Sequence, residues 1–200
     1  MVDFLTKKRV RNEGEIQQYY IEDDHEAIIE PWIWECVQLE MKRRERYLED
    51  NITRFSQNTE ANPFSSKIIC GECNRAFARK GWRTPSGDRK VWQCSEWHKV
   101  KDVLRCGNRH FYEETLIEIY LMAWNRLLEC REMLMPEWER KMPGEDLLAK
   151  FRAKDFMEIT KDAQPIKELD IDLMIRTVDY IKVYKNGAVM TVFLDGTEIE

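Results

Sequence analysis

Four cysteines, spaced Cys70-x2-Cys73-x20-Cys94-x11-Cys106, constrain this chain more than any other feature. A C-x2-C pair puts two thiolates on one tight knuckle, suited to two corners of a tetrahedron around a metal at roughly 2.3 Å. Zinc is the expected ion, because it favours thiolates and needs no redox chemistry. Four protein ligands leave no open coordination position, so the expectation is one structural zinc ion on Cys70, Cys73, Cys94 and Cys106. Gly71 is expected to let the knuckle bend and to offer its amide to a sulfur. Two rival readings stand beside this one. Cys70 and Cys73 as a redox pair would want a thioredoxin-like βαβ context, which the pattern lacks. His98, or less readily His110, could replace Cys106 as the fourth ligand. Cys36 and Cys130 fall within helical periodicity and read as small buried residues.

The charge pattern is as informative as the cysteines. Residues 67–110 hold eleven Lys/Arg against four Asp/Glu, a balance of +7, whereas the whole 200-residue chain carries −5. The remainder is therefore acidic by about twelve charges, and such asymmetry marks a polyanion-facing module on an acidic body. Between Cys73 and Cys94, Pro85-Ser86-Gly87-Asp88 reads as the turn of a β-hairpin. Cations alternate there with Phe77, Trp82 and Trp92, so one face is expected to pack while the other presents charge. The candidate phosphate and base contacts are Arg75, Arg79, Lys80, Arg83, Arg89 and Lys90. Lys99, Lys101 and Arg105 are added from the loop after Cys94, and Lys7, Lys8, Arg9 and Arg11 form a weaker N-terminal set. No apolar run approaches the roughly 20 residues needed to span a bilayer, and none near the N-terminus has signal-peptide length. An intracellular, cytoplasmic setting follows, with no membrane partner.

The rest reads as α+β: a zinc β-ribbon with flanking helices, a C-terminal β-hairpin and a short N-terminal strand pair. Residues 1–22 suggest strand–turn–strand, the tail of something upstream. Residues 23–63 hold a helix from about Pro31 to Leu48, with an apolar stripe of Ile33, Trp34, Val37, Met41 and Leu48, followed by a polar linker. Residues 64–200 form the zinc-ribbon domain. Within it, a helical insertion over 112–161 is expected as one helix from Tyr112 to Leu134, ended by Pro136, and another from Glu145 to Ile159. Leu116, Tyr120, Trp124, Leu127 and Leu128 are expected core positions. A short helix near Asp170 to Val178 precedes a hairpin turned at Asn186-Gly187, a strong two-residue hairpin signal.

Several segments carry a family resemblance. Tyr19-Tyr20-Ile21-Glu22-Asp23-Asp24-His25-Glu26-Ala27-Ile28-Ile29 resembles the end of the DNA-binding recombinase domain of large serine recombinases. Phe64-Ser65-Ser66-Lys67-Ile68-Ile69-Cys70-Gly71-Glu72-Cys73, Trp92-Gln93-Cys94 and Cys106-Gly107-Asn108-Arg109-His110 resemble their zinc ribbon. Phe193-Leu194-Asp195-Gly196-Thr197-Glu198-Ile199-Glu200 is similar to their endings. The resemblance implies a bacterial, phage or mobile-element recombinase that binds double-stranded attachment-site DNA and assembles with other recombinase subunits. In that family the nucleophilic serine lies in an N-terminal resolvase-like domain, so Ser56, Ser65, Ser66, Ser86 and Ser95 are not read as nucleophiles. Asp23-Asp24-His25 is read as a structural junction before a helix rather than as a catalytic site. Many members insert a long coiled coil after the ribbon, whereas 112–161 shows no sustained heptad. Two other classes remain open: a protein-interaction module controlling synapsis, and a zinc-ribbon RNA binder.

Overall fold

In this computed structural model the described residues are 6, 8, 9, 11, 12, 14, 17, 19, 26–51, 61–85, 87–97, 99–100, 103–104 and 106–200. Most of the expected strand pair over 1–22, the Asp23-Asp24-His25 junction and most of the 50–63 linker lie outside them, as do His98, Lys101 and Arg105.

Five helices and nine strands make a mixed α+β fold among the described residues. Helix α1 (Pro31–Asn51) leads to strand β1 (Ile68–Cys70), then to the long hairpin β2 (Phe77–Thr84) and β3 (Gly87–Cys94). The excursion from Cys94 to Cys106 contains a small pair, β4 (Lys99–Val100) and β5 (Val103–Leu104), and β6 (Phe111–Tyr112) follows. Next come α2 (Glu113–Glu129), α3 (Arg131–Lys141), α4 (Leu147–Lys161) and α5 (Ile171–Thr177). The chain closes with β7 (Val178–Val183), β8 (Val189–Phe193) and β9 (Glu198–Ile199).

Two sheets frame the zinc segment. One is the ribbon with its third strand, in the order β2-β3-β6, and the other is four-stranded, β1-β7-β8-β9. Strand β1 runs parallel to β7, with Ile68, Ile69 and Cys70 opposite Ile181, Lys182 and Val183. The first zinc knuckle is therefore continuous with a strand whose partner lies more than a hundred residues away. Asn186-Gly187 turns the C-terminal hairpin as expected, with Gly187 at φ +95°, a left-handed conformation that a side chain disfavours. Asp146 and Asp170 start α4 and α5 by accepting the amides of Ala149 and Leu173 at 3.0 and 2.9 Å.

Three expectations are corrected. The predicted helix over 112–134 is two helices broken at Cys130, and Pro136 lies inside α3 instead of ending it. Proline removes one main-chain donor. Beyond it, however, Trp138 is fully buried and donates from Nε1 to Asp195 Oδ2 at 2.6 Å. That anchor holds the helix on course past the proline. Helix α1 does not bury its Ile33–Val37–Met41 stripe: Val37 is 42% and Met41 60% exposed, against 3% for Cys36. The packed face carries Cys36, Glu40, Arg43 and Tyr47, with Trp32 on Phe151 at 6.3 Å and Tyr47 stacked on Tyr180. Finally, β3 does not alternate. Gly87–Lys90 are exposed and Val91–Cys94 are buried, while on β2 Ala78 and Lys80 stay exposed at the root and Trp82 and Thr84 are half-buried toward the tip.

One core joins these parts. It runs from Cys70, Cys94 and Cys106 through Phe64, Phe77, Trp92 and Phe111 to Leu116, Tyr120, Trp124, Leu127, Phe156 and Phe193. Of the predicted insertion residues, Leu116, Tyr120, Trp124 and Leu127 are buried, and Leu128 is half-buried.

Candidate metal centre and the ribbon it supports

The four predicted ligands come together. The sulfurs of Cys70, Cys73, Cys94 and Cys106 all lie within 4.8 Å of one another. Cys70 and Cys106 are 3.6 Å apart, Cys73 and Cys94 3.4 Å. A tetrahedron with sulfur at about 2.3 Å from zinc has edges of about 3.8 Å, so the set fits an ion held by four thiolates with small adjustments. The fourth corner belongs to Cys106. His110 instead packs its ring against Trp82 at 4.5 Å and Tyr112 at 5.7 Å.

The knuckle backbone is shaped for sulfur. Asn74 takes a left-handed φ of +57° and returns its amide to the Cys70 carbonyl at 2.9 Å. The amides of Glu72 and Cys73 point at the Cys70 sulfur, that of Arg75 at Cys73, and that of Glu96 at Cys94. Gly71 plays a different part from the one expected. Its amide donates to Val183 O at 2.8 Å, joining knuckle to β7. A Cβ there would stand 2.3 Å from the Tyr184 ring, so close approach, not chain bending, requires the glycine.

Asn108 is the residue that sequence reading passed over. It is fully buried, and its Nδ2 donates to Cys70 Sγ at 3.1 Å and to Val183 O at 2.9 Å. Its position two residues after Cys106 was the available signal. Burial pushes Cys70 upward, but the Asn108 amide and the knuckle amides outweigh it and lower its thiol. Burial raises Cys73 to about 11 and raises Cys94 strongly. A cation is thus the natural partner for these buried sulfurs, because it replaces protons that would otherwise be retained.

From this anchor β2 and β3 run outward in register, Phe77 opposite Cys94 and Thr84 opposite Gly87. Strand β6 pairs only with Val91 and Trp92, so the portion from Gly81 to Lys90 extends past the third strand as a two-stranded tip. The predicted cations divide by location. At the root, Arg79 donates to both Glu113 carboxylate oxygens, at 2.5 and 2.7 Å, and Trp92 Nε1 donates to the same carboxylate at 3.0 Å. Arg75 is half-buried and reaches Asp50 O at 3.3 Å. Lys80 is exposed and donates to Gln93 Oε1 at 2.7 Å. At the tip, Arg83, Arg89 and Lys90 are exposed, with Arg89 over the Tyr112 ring at 5.2 Å. Lys99 lies on β4, and its side chain is outside the described residues, as are Lys101 and Arg105.

Residues 63–125 match the family described as the recombinase zinc beta ribbon domain. Over this segment the chain is similar to recombinase zinc β-ribbon domains. The matched segment starts just before β1, contains all four cysteines and ends within α2, so it spans both the metal centre and the ribbon. The fold is also similar to that in the crystal structure of a large serine recombinase–DNA complex, with a TM-score of 0.51 at 14% identity. That match covers 86% of this chain and 67% of the other. No curated protein matches the chain significantly. Among the described residues, no helix is long and apolar enough to cross a membrane.

Proposed function

We propose that the chain is a DNA-binding part of a site-specific serine recombinase, in which the zinc ribbon grips attachment-site double-stranded DNA during recombination or integration. The observation that carries this reading is the tip of the ribbon. Three exposed cations, Arg83, Arg89 and Lys90, stand on a two-stranded projection whose root is fixed by zinc and by the Arg79–Glu113–Trp92 contact. A two-stranded ribbon fits the major groove, where arginine pairs with guanine edges and lysine with phosphates. Lys80 extends the basic surface, Arg75 and Arg79 serve it by fixing the root, and Lys99, Lys101 and Arg105 are further DNA contacts proposed from the sequence. Bond cleavage is assigned to a separate serine domain of the parent protein, and the zinc ion supports shape and not chemistry. In this reading the protein works inside a bacterial cell, encoded by the host, a phage or a mobile element, and assembles with further recombinase subunits at synapsis.

The test is binding of the zinc-loaded chain to duplex DNA across a salt series. Log K should fall linearly with log salt, and removing one phosphate contact, as in Lys90→Ala, should shallow the slope by about 0.9. Binding that is absent, or indifferent to salt, defeats the proposal. Stronger binding to single-stranded RNA would favour an RNA role. A tight dimer formed without nucleic acid would favour the interaction-module alternative.

A further inference from the structure

Trp82 and Arg89 face each other across the ribbon as register partners, so their side chains leave the same face. Each is backed by a different ring from the segment that follows the last zinc ligand. His110 lies against the Trp82 indole with ring centroids 4.5 Å apart. The guanidinium of Arg89 lies over Tyr112 at 5.2 Å. His110 and Tyr112 meet edge to face at 5.7 Å and close the row Trp82–His110–Tyr112–Arg89. His110 and Tyr112 stand four and six residues after Cys106, so the metal fixes the strip on which both backing rings are mounted.

Trp82 is only half-buried and lies outside the core that unites the zinc site with the helices, and Arg89 is exposed. What the row does is hold two groups in one orientation before any partner arrives. A free arginine on a ribbon tip samples many rotamers and gives up that freedom on binding, whereas one resting on an aromatic face is already ordered. Phosphates, found at every step of a duplex, do not require such ordering. Base edges do, because they discriminate only when donor and apolar groups arrive at defined positions.

Resting on the DNA-binding reading above, we infer that Trp82 and Arg89 form the base-reading pair of the ribbon. Arg89 would read a guanine edge and Trp82 the apolar methyl edge of a neighbouring thymine. His110 and Tyr112 act as positioning residues, while Arg83 and Lys90 supply sequence-independent phosphate contact.

The experiment is selection of bound duplexes from a pool of double-stranded DNA with a randomised block, using the full zinc-loaded chain, alongside a salt series on each variant. The intact chain should enrich a motif containing adjacent G·C and T·A pairs. Trp82→Ala and Arg89→Ala should each erase preference at one of those pairs, by roughly tenfold or more in relative affinity. His110→Ala should weaken preference at the Trp82 pair while zinc content and salt slope stay unchanged, and His110→Phe, which keeps a ring, should restore it. Lys90→Ala should weaken binding to all sequences alike. If Trp82→Ala, Arg89→Ala and His110→Ala enrich the same motif as the intact chain, the inference fails and the DNA-binding reading stands. If the intact chain binds no duplex, that reading fails first.

Discussion

At the scale of single residues, Asn108 shows what a ligand pattern leaves out. The sequence names four sulfurs, but the side chain that ties one of them to the body is an asparagine with no motif of its own. Its amide donates to Cys70 Sγ and Val183 O, and it is completely buried. Replacing it with leucine keeps the branched shape and takes one donor from the Cys70 sulfur and one from the Val183 carbonyl, leaving the knuckle amides and the Gly71 amide in place. Removal of groups that support metal ligands typically weakens metal binding roughly 10- to 100-fold. Asn108→Leu should therefore surrender zinc to a chelator at lower concentration than the parent chain, measured by competition with a colorimetric zinc indicator. Unchanged competition would show that Asn108 serves the sheet alone. Gly71 carries the same lesson, since C-G-x-C suggests a bend where the need is clearance for Tyr184.

At the scale of elements, tertiary anchors override local signals. Pro136 predicts a helix end, and α3 continues through it to place Trp138 in the core. Asp195 gathers this junction, accepting from Trp138 Nε1 at 2.6 Å, from Thr197 Oγ1 at 2.5 Å and, through its carbonyl, from Lys141 Nζ at 2.6 Å. Trp138→Phe preserves most of the buried ring and removes the one N–H. The expected loss is about 1–3 kcal/mol in chemical denaturation, with the far-ultraviolet helix signal unchanged in the native state. A smaller loss than that for Thr197→Val would place the junction's strength in the C-terminal turn instead. The ribbon follows a similar rule. Alternation predicts one wet face and one dry face, but third-strand pairing covers only the root, so on β3 the pattern changes along the strand and not across it.

At the scale of the whole molecule, α1 is joined to the zinc-bearing body through a polar seam. Glu40 accepts from Arg43, Arg44 and Arg152, and Arg43 also donates to Asp179 at 2.9 Å. Burial alone would raise the Glu40 carboxyl, but the surrounding guanidiniums hold it at about 2. A carboxyl lowered on folding stabilises fully above its unfolded value and loses that contribution as pH falls toward the folded one. Stability from this seam should therefore decline between about pH 4.5 and 2, and Glu40→Gln should flatten that part of the profile in urea titrations. Lys67 works at the other end of the scale. Burial lowers its amine to about 8, so the unfolded chain binds the extra proton between there and its ordinary value near 10.5. Stability from Lys67 should rise across that alkaline window. The sequence by itself determined the zinc ligands, the basic ribbon and the Asn186-Gly187 hairpin, because each rests on spacing or on local backbone chemistry. Only the tertiary structure decided which face of α1 is buried, that β1 pairs with β7, that Asn108 and Gly71 serve the knuckle, and which arginines remain outward. Those outcomes depend on groups far apart in the chain, where partner identity is set by packing and not by periodicity. The cysteines were legible as a set; what they hold in place became visible only with the contacts around them.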